Sequence, residues 1–252
     1  MKPASMMRRT LAAVLAASAA GAATAQLPKL DDLMKGVGRL PGQSSGGGSA
    51  AAVDDKTGAA GIKEALAVGT ENAVKKLSQV DGYFGNAAVK ILMPSSIQKV
   101  ADVARMVGFQ KQVDDFVLSM NRAAEAAVPV AAGYFGDAIR DMSLDDVRGV
   151  LTGGETAATD FFRRKTYDKL YGAFKPTVSQ KVGESGTARA YKDLIGRYDS
   201  VPLVSKQSLD LDDYVTRKSL DGLFHMVGVE EKSIRTNPLA RTTDLLKTVF
   251  GR

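Results

Sequence analysis

The sequence predicts an all-α protein with a single multi-helix domain over residues 59–252, and two observations support that prediction. Apolar residues recur at helical spacing in nearly every segment of this region. The apolar runs over residues 89–93 and 201–204 are short and lie beside prolines, so they predict at most a small hairpin or extended segments. The chain has no cysteine, so a buried core and not a disulfide framework must hold the domain together.

Residues 1–25 predict a cleavable secretory signal peptide. Their cations are Lys2, Arg8 and Arg9, and no acidic residue accompanies them. An alanine-rich apolar stretch over residues 10–22 follows, and Ala23-Thr24-Ala25 provides the small-x-small pattern that is cleaved before Gln26. We therefore expect the chain to be exported across the inner membrane.

The exported chain is expected to carry neither a membrane span nor a lipid anchor. The apolar part of the signal is shorter and less apolar than the roughly 20 strongly apolar residues that cross a bilayer. No later stretch is long and apolar enough for a span, and no cysteine follows the cleavage site to carry a lipid.

Residues 26–58 predict a flexible N-terminal segment and linker. Residues 41–50 are rich in Gly and Ser, which is typical of a flexible linker. The segment 26–40 either tethers a partner or lies on the domain as a frayed helix, and we expect it to be disordered in isolation. Its apolar residues, which lie at roughly helical spacing, are Leu27, Leu30, Leu33, Met34 and Val37.

The net charge argues against nucleic-acid binding. The whole chain has 34 Lys and Arg residues against 28 Asp and Glu, a formal net charge of +6. Three of the cations lie in residues 1–25 and all the acidic residues lie beyond, which leaves 31 against 28 and a net charge of +3 in the mature chain. Both signs are interspersed, whereas nucleic-acid binding needs a focused basic patch.

The first helices of the domain are predicted from apolar spacing and end signals. One helix covers Ile62–Leu77 and stops at Asp81-Gly82. Ser95 or Ser96 is expected to cap a second helix that ends at Gly108. The apolar positions of that second helix are Ile97, Val100, Val103, Ala104 and Val107.

The clearest apolar stripe follows, and it predicts a helix packed on a core. At 100° per residue its members fall within one helix face. Pro129 removes a backbone hydrogen bond and crowds the carbonyl of Glu125, so we expect a kink or a break there. The stripe comprises Val113, Phe116, Val117, Met120, Ala124, Ala127, Val128, Ala131 and Phe135.

The C-terminal half predicts further helices. Ser143 begins a helix that has Asp in its first turn and ends at Gly153-Gly154. Pro176 is expected to halt the next helix, which covers Glu155–Phe174. The remaining predicted helices cover Thr177–Gly183, Thr187–Tyr198, Asp212 to about Glu231, and Asn237–Gly251, the last with Asn at its cap and Pro at its first position.

Several strings of the domain are similar to those of one protein family. They are residues 63–66 (Lys-Glu-Ala-Leu), 120–125 (Met-Asn-Arg-Ala-Ala-Glu), 157–159 with 161–162, 210–216, 221–224, 230–235 (Glu-Glu-Lys-Ser-Ile-Arg), 237–238 and 241–243. Over about Gly61 to Gly251 the chain resembles the exported proteobacterial family called domain of unknown function 4197 (DUF4197). It departs from the family pattern at Met93-Pro94, where Leu-Pro is expected. The resemblance implies a periplasmic, Gram-negative envelope protein with an all-α domain, and it supplies no catalytic residues.

Several familiar chemistries lack their residues. His225 is the single histidine of the chain, and its apolar neighbourhood favours a structural role over that of a catalytic base. Asp221 and His225 share a helix face, but two ligands do not close a metal site. No phosphate-binding glycine motif is present, because Gly46–Gly48 belongs to the linker and Gly153-Gly154 ends a helix. We expect no cofactor and no metal.

Polar residues within the apolar helices are the remaining candidates for a site. Asn121, Arg122 and Glu125 form a strip beside the apolar stripe, and Arg122 and Glu125 are spaced to pair. The strip faces solvent, or meets a second polar cluster in a buried network that fixes helix register, or heads a ligand pocket. The second cluster comprises Glu230, Glu231, Arg235 and Arg241, and the carboxylates available for catalysis are Glu125, Glu155, Asp160, Glu230 and Glu231.

Two classes of function stay open at this point. The leading hypothesis is a non-enzymatic periplasmic protein that binds an envelope partner or an apolar or anionic small ligand. The alternative is an envelope hydrolase that uses carboxylates and arginines, and it requires two carboxylates that face one cleft. The sequence does not set the oligomeric state.

Overall fold

The computed structural model describes residues 55–186, 188–189 and 210–237, and it confirms the all-α prediction for them. This part of the chain forms helices and irregular connections and contains no strand. Its helices are α1 (Asp55–Leu77), α2 (Gln98–Met106), α3 (Gln110–Ala127), α4 (Ala131–Arg140), α5 (Leu144–Thr152), α6 (Ala157–Glu184) and α7 (Leu211–Thr236).

Several predictions fall on residues outside the described ranges. These are the signal peptide, the segment 26–40, the Gly/Ser linker, the segment 201–204, most of the helix predicted over residues 187–198, and the last helix from Pro238 on. Arg241 of the second polar cluster lies there as well.

The core of the domain is centred where α4, α6 and α7 meet. Helix α6 packs along α7, α1 packs on α7 and α4, and α3 packs on α6. The ring of Phe135 meets the rings of Phe162 and Phe224 edge to face, at centroid distances of 5.0 and 6.2 Å. Aromatic pairs at this spacing and angle are favourable beyond the area they bury.

The long apolar stripe and its proline are both confirmed. All nine residues of the stripe are buried. At Pro129 the helix breaks as predicted: α3 ends at Ala127, a 3₁₀ turn covers Val128–Val130, and α4 begins at Ala131. The stripe crosses the break because a 3₁₀ turn keeps the chain direction while accommodating the proline.

The prediction that Pro176 halts a helix is wrong, because α6 continues through it for 28 residues from Ala157 to Glu184. Buried Phe174, Val178 and Val182 lie on both sides of the proline and share one face. Gly172, four residues before Pro176, is exposed like the proline itself, so the carbonyl that loses its donor can bind water. Packing of α6 on α7 outweighs the lost hydrogen bond.

Helix α2 differs from its prediction in the residue that caps its start and in the exposure of two of its apolar residues. Neither Ser95 nor Ser96 caps it: Ile97 occupies the cap position, and no side-chain cap bond is present. Its end at Gly108 is confirmed, with a left-handed φ of +96° at that glycine. Val103 and Val107, two of its predicted apolar positions, are exposed.

The other helix boundaries follow local signals. The helix start predicted at Ser143 is confirmed, and there Ser143 and Asp146 form a capping box at the start of α5. The side chain of Asp210 caps α7, which runs to Thr236 and so extends past the predicted end at Glu231. Helix α1 begins at Asp55, before the predicted start at Ile62. The segment 89–93 is irregular and forms no strand.

Among the described residues, no helix combines the length and the apolar character that a bilayer crossing requires.

Candidate functional site

The connection between α1 and α2, residues 78–97, lies across α3 and α7, and we call it the strap. The fully buried Tyr83 donates its hydroxyl to the carbonyl of Ser219 on α7, at 2.6 Å. Tyr214 of α7 donates to the carbonyl of Leu92 at 3.0 Å. A Cβ atom on Gly222 would lie 2.6 Å from the Tyr83 ring, so only glycine fits there. These contacts fix the strap on α7.

Asn121 fixes the strap on α3. Its Oδ1 accepts the N–H of Ile91 at 2.8 Å, and its Nδ2 donates to the carbonyl of Ile91, also at 2.8 Å. The second Nδ2 hydrogen bonds to the carbonyl of Val117. Both Asn121 and Ile91 are buried. One amide side chain thus satisfies both backbone groups of a buried residue that belongs to no regular element.

Glu125 and Arg122 hold the other end of the strap. Oε1 of Glu125 accepts the N–H groups of Tyr83 and Phe84, at 3.1 and 3.2 Å. Arg122 donates to Oε2 of Glu125 at 2.6 Å and to Asp81 at 2.7 Å. The hydrogen bond to Glu125 is the main cause that raises the pKa of Arg122. We call Asn121, Arg122 and Glu125 the strap clasp.

Glu231 on α7 binds the start of α6. Its carboxylate accepts the N–H groups of Ala158 and Thr159, at 3.0 and 2.9 Å, and the hydroxyl of Thr159 at 2.8 Å. The first N–H groups of a helix have no partner within the helix, and the helix dipole favours negative charge beside them. Glu231 therefore supplies the anion that the N-terminus of α6 requires.

Arg235 and Glu230 extend this contact to two more helices. Arg235 donates to Glu231 through Nε and Nη2, at 3.0 and 2.8 Å, and its Nη2 also donates to the carbonyl of Val150 near the end of α5. Glu230 accepts from Lys76 of α1 at 2.6 Å and from Asn72 at 3.4 Å. We call Glu230, Glu231 and Arg235 the α7 clasp; it joins α7 to α1, α5 and α6.

The structure thus divides the candidate polar residues between two separate sets. Asn121 and Glu125 are buried, so the strip on α3 is not a solvated face. Within the described residues its partners lie in the strap, whereas those of the α7 clasp lie in α1, α5 and α6. Both sets fix the positions of neighbouring elements, as the buried-network hypothesis requires, but they do not form one network.

The remaining two carboxylates lie near the start of α6. Glu155 is exposed, and Asp160 accepts a hydrogen bond from Thr156 at 3.0 Å. Asp160 lines a surface cleft of about 400 Å³ together with Asp145, Asp146 and Arg164. Hydrogen bonds from Ser143 lower the pKa of Asp146, whose carboxylate serves the cap of α5. The carboxylates of this cleft are largely engaged in local helix contacts.

A small apolar cavity lies beside the α7 clasp. Its volume is about 30 Å³, and Glu231 and Arg235 contribute to its lining with Ile62, Leu66 and Phe162. A space of this size holds about one water molecule, whereas sites for small ligands measure about 300–1,000 Å³. Arg235 thus reaches a cavity, but one too small for an apolar ligand. Arg122 lines neither this cavity nor the cleft.

His225, the single histidine, and its acidic neighbour Asp221 do not form a metal site with other described side chains. His225 is exposed on α7, and Asp221 forms ion pairs with Lys218 at 3.6 Å and with Arg163 at 3.9 Å. No group of three His, Cys, Asp or Glu side chains suited to a metal ion occurs in the part of the chain that the structure describes.

An exposed apolar surface at the end of α2 has no counterpart among the sequence candidates. Its members are Val103, Met106, Val107 and Phe109, which we call the α2 apolar face; Met106 is 84% exposed. The first three are spaced i, i+3 and i+4 and are therefore neighbours on the helix surface. Apolar spacing alone predicted this helix but could not show that Val103 and Val107 of its stripe are exposed, while Ile97 packs against the core.

We expect the Tyr83→Phe variant to change how stability depends on pH. Burial, followed by the charge of Glu125, raises the pKa of Tyr83 well above its ordinary value. Because the folded pKa is the higher one, this phenol contributes stability below about pH 10, and the contribution falls as pH rises above it. At neutral pH the variant should lose about 1 kcal/mol with the hydrogen bond to Ser219.

The measurement for Tyr83 is urea unfolding of both proteins between pH 7 and pH 11. The difference between wild type and variant should shrink above pH 10 and then reverse. A difference that stays constant over that range would show that the Tyr83 phenol titrates equally in the folded and unfolded chains.

Comparison with known proteins assigns the family. A family described as "Protein of unknown function (DUF4197)" matches residues 52–251, and the chain therefore belongs to that family. No curated protein and no solved structure is significantly similar to the chain. The matched region includes all the described helices and both clasps.

Proposed function

We propose that this DUF4197 protein is a non-enzymatic periplasmic protein whose helical domain binds a partner in the cell envelope. The observation that supports the proposal most is the engagement of the candidate polar residues within the fold. The carboxylates of Glu125 and Glu231 accept backbone N–H groups and pair with Arg122 and Arg235. A general acid or base must instead reach a proton of the substrate. The clasps hold the helices and the strap in fixed positions, so we assign recognition of the partner to the exposed surface of the domain.

The periplasmic compartment is supported by the signal-like residues 1–25, and mass spectrometry tests it. When the full chain is produced in a Gram-negative host, osmotic shock should release a protein that begins at Gln26. The Ala25→Asp variant, which places a charge at the cleavage position, should stay unprocessed. Recovery of the uncleaved wild-type chain from the cytoplasm would contradict export.

Saturable binding to spheroplasts tests the proposed function. The purified mature chain, residues 26–252, is labelled and added to spheroplasts of a host that lacks its own copy of the gene. We expect binding that excess unlabelled protein displaces and that protease treatment of the spheroplast surface abolishes. The heat-unfolded chain is the control. Binding that fails to saturate, or no binding, would contradict the proposal.

The envelope hydrolase stays a second hypothesis, and the cleft lined by Asp145, Asp146 and Asp160 is the observation that bears on it. Local contacts count against that reading, because Asp146 serves the cap of α5 and Asp160 accepts a hydrogen bond from Thr156. The hypothesis predicts that Asp160→Asn, Glu125→Gln or Glu231→Gln abolishes hydrolysis of an envelope polymer while the chain unfolds at the wild-type urea concentration. If these carboxylates instead hold the fold, the variants should unfold at a lower urea concentration than the wild type, and no loss of hydrolysis should precede that loss of stability.

A further inference from the structure

We infer that Met106 is a site of reversible oxidation, at which a peroxide or hypochlorous acid converts the side chain to methionine sulfoxide while the fold stays intact. The chain has no cysteine, so the thioethers of its methionines are its only sulfur groups. Thiols, which would compete for such oxidants, are therefore absent from the sequence. Oxidation needs only the access of a small oxidant to this side chain, whichever surface of the domain binds a partner.

Exposure distinguishes Met106 from the other described methionines. It is 84% exposed. The residues Met120, Met142 and Met226 are 0%, 6% and 8% exposed. Met93 in the strap is half-buried and packs against the core. Because an oxidant must reach the sulfur, Met106 is the methionine that reacts most readily among the residues that the structure describes.

The buried methionines lie in contacts that oxidation would break. Met120, Met142 and Met226 belong to the main apolar core. The sulfur of Met226 also accepts a hydrogen bond from Nδ2 of Asn86 at 3.7 Å. A sulfoxide oxygen in the core would be a buried acceptor without a partner, so reaction at these residues requires the domain to open.

The reaction at Met106 is a two-electron oxygen transfer. The sulfur lone pair attacks one oxygen of hydrogen peroxide, and the O–O bond breaks as the S–O bond forms. The leaving hydroxide takes the proton of the transferred oxygen and becomes water, so sulfur is oxidised by two electrons and the peroxide is reduced by two. A methionine sulfoxide reductase supplied with a dithiol reverses the change: the dithiol becomes a disulfide and the oxygen leaves as water.

Oxidation at Met106 changes the surface and not the core. Val103, three residues earlier, is its exposed neighbour on the helix surface, so the sulfoxide places a polar group within the α2 apolar face. At this exposure the new oxygen can bind water, and we expect the domain to keep its free energy of unfolding. The apolar character of this surface is therefore adjustable by an oxidant and a reductase.

Site-resolved oxidation of the purified mature chain, residues 26–252, tests the inference. The folded protein is treated with dilute hydrogen peroxide, quenched with free methionine and digested, and mass spectrometry measures the oxygen added at each methionine. We expect Met106 to react about tenfold or more faster than Met120 and Met226, and all three to react at similar rates in urea. A rate at Met106 of the folded chain that equals those of the buried methionines, or that falls below the rate at Met93, would overturn the inference.

Reduction and stability measurements test whether the oxidation is reversible and confined to the surface. They use the Met34→Leu chain, because Met34 lies outside the described residues, and Met106→Leu in the same background is the matched control. After brief peroxide treatment the chain with Met106 should unfold at its original urea concentration, and a methionine sulfoxide reductase with a dithiol should restore its mass without unfolding it. The control should gain much less oxygen. An equal gain in the control, a lower unfolding midpoint after oxidation of Met106, or a sulfoxide that is reduced only in the unfolded chain would overturn the inference.

Discussion

The Glu231→Ala variant is expected to lower the free energy of unfolding by about 3–5 kcal/mol, the cost of removing one partner from a buried ion pair. The carboxylate that is lost accepts two N–H groups of α6, the Thr159 hydroxyl and the Arg235 guanidinium. Alanine removes the carboxylate that pairs with the largely buried Arg235, and it leaves the first N–H groups of α6 without the acceptor that Glu231 supplies.

Urea unfolding of the purified domain measures this effect, and Glu155→Ala is its control. Glu155 lies just before α6 and is exposed, so its loss should leave the unfolding midpoint at the wild-type value. A Glu231→Ala midpoint equal to that of Glu155→Ala would show that the carboxylate of Glu231 does not hold α6.

The Asn121→Ala variant is expected to lose about 3 kcal/mol of stability. It leaves both the N–H and the carbonyl of Ile91 buried without a side-chain partner, and each buried unsatisfied group costs about 1–3 kcal/mol. The Asn121→Asp variant, which is nearly the same size, can accept from Ile91 but cannot donate to it. At neutral pH it should be destabilised at least as much, because it also buries a charge.

Gln112→Ala is the control for Asn121, because Gln112 is an exposed residue of the same helix. Its unfolding midpoint should stay at the wild-type urea concentration. If Asn121→Ala also unfolded at the wild-type urea concentration, the amide contact between Asn121 and the strap would not be what holds the strap on α3.

The parts of the fold that the sequence predicted have local causes. The break at Pro129 follows from a missing donor within the chain itself, and the start of α5 follows from a capping box between Ser143 and Asp146. The stripe on α3 has the period of a helix that packs on a core. Each of these signals lies within one continuous stretch of sequence and needs no contact from another element.

The errors have non-local causes. Pro176 carries the same missing donor as Pro129, but there the buried residues on both sides of α6 keep the helix continuous. The side chain of Glu231 caps a helix that begins 74 residues earlier, and no spacing in the sequence indicates such a partner. The strap covers the polar side of α3, so Asn121 and Glu125 are buried on a side of the helix for which the sequence left a solvated face, a buried network and a ligand pocket all open.

Two of the strings that carry the family resemblance contain the residues of the two clasps, and a third contains N–H groups that bond to one of them. Residues 120–125 include the strap clasp, residues 230–235 include the α7 clasp, and residues 157–159 supply its N–H donors. These strings are therefore explained by contacts between helices and loops. The α2 apolar face lies outside them, so the residues that hold the fold are not those that form this exposed surface.

Amide hydrogen exchange in the wild type and in the Glu231→Ala and Glu125→Ala variants tests the central claim, that the candidate polar residues hold neighbouring elements in place. The first amides of a helix normally exchange fast, because they lack an acceptor. In the wild type we expect protection at Ala158 and Thr159 from Glu231, and at Tyr83 and Phe84 from Glu125. Each alanine variant removes both acceptor oxygens, so it should lose protection at its own pair and keep it at the other. Fast exchange at Ala158 and Thr159 in the wild type, or protection that survives Glu231→Ala, would contradict the account.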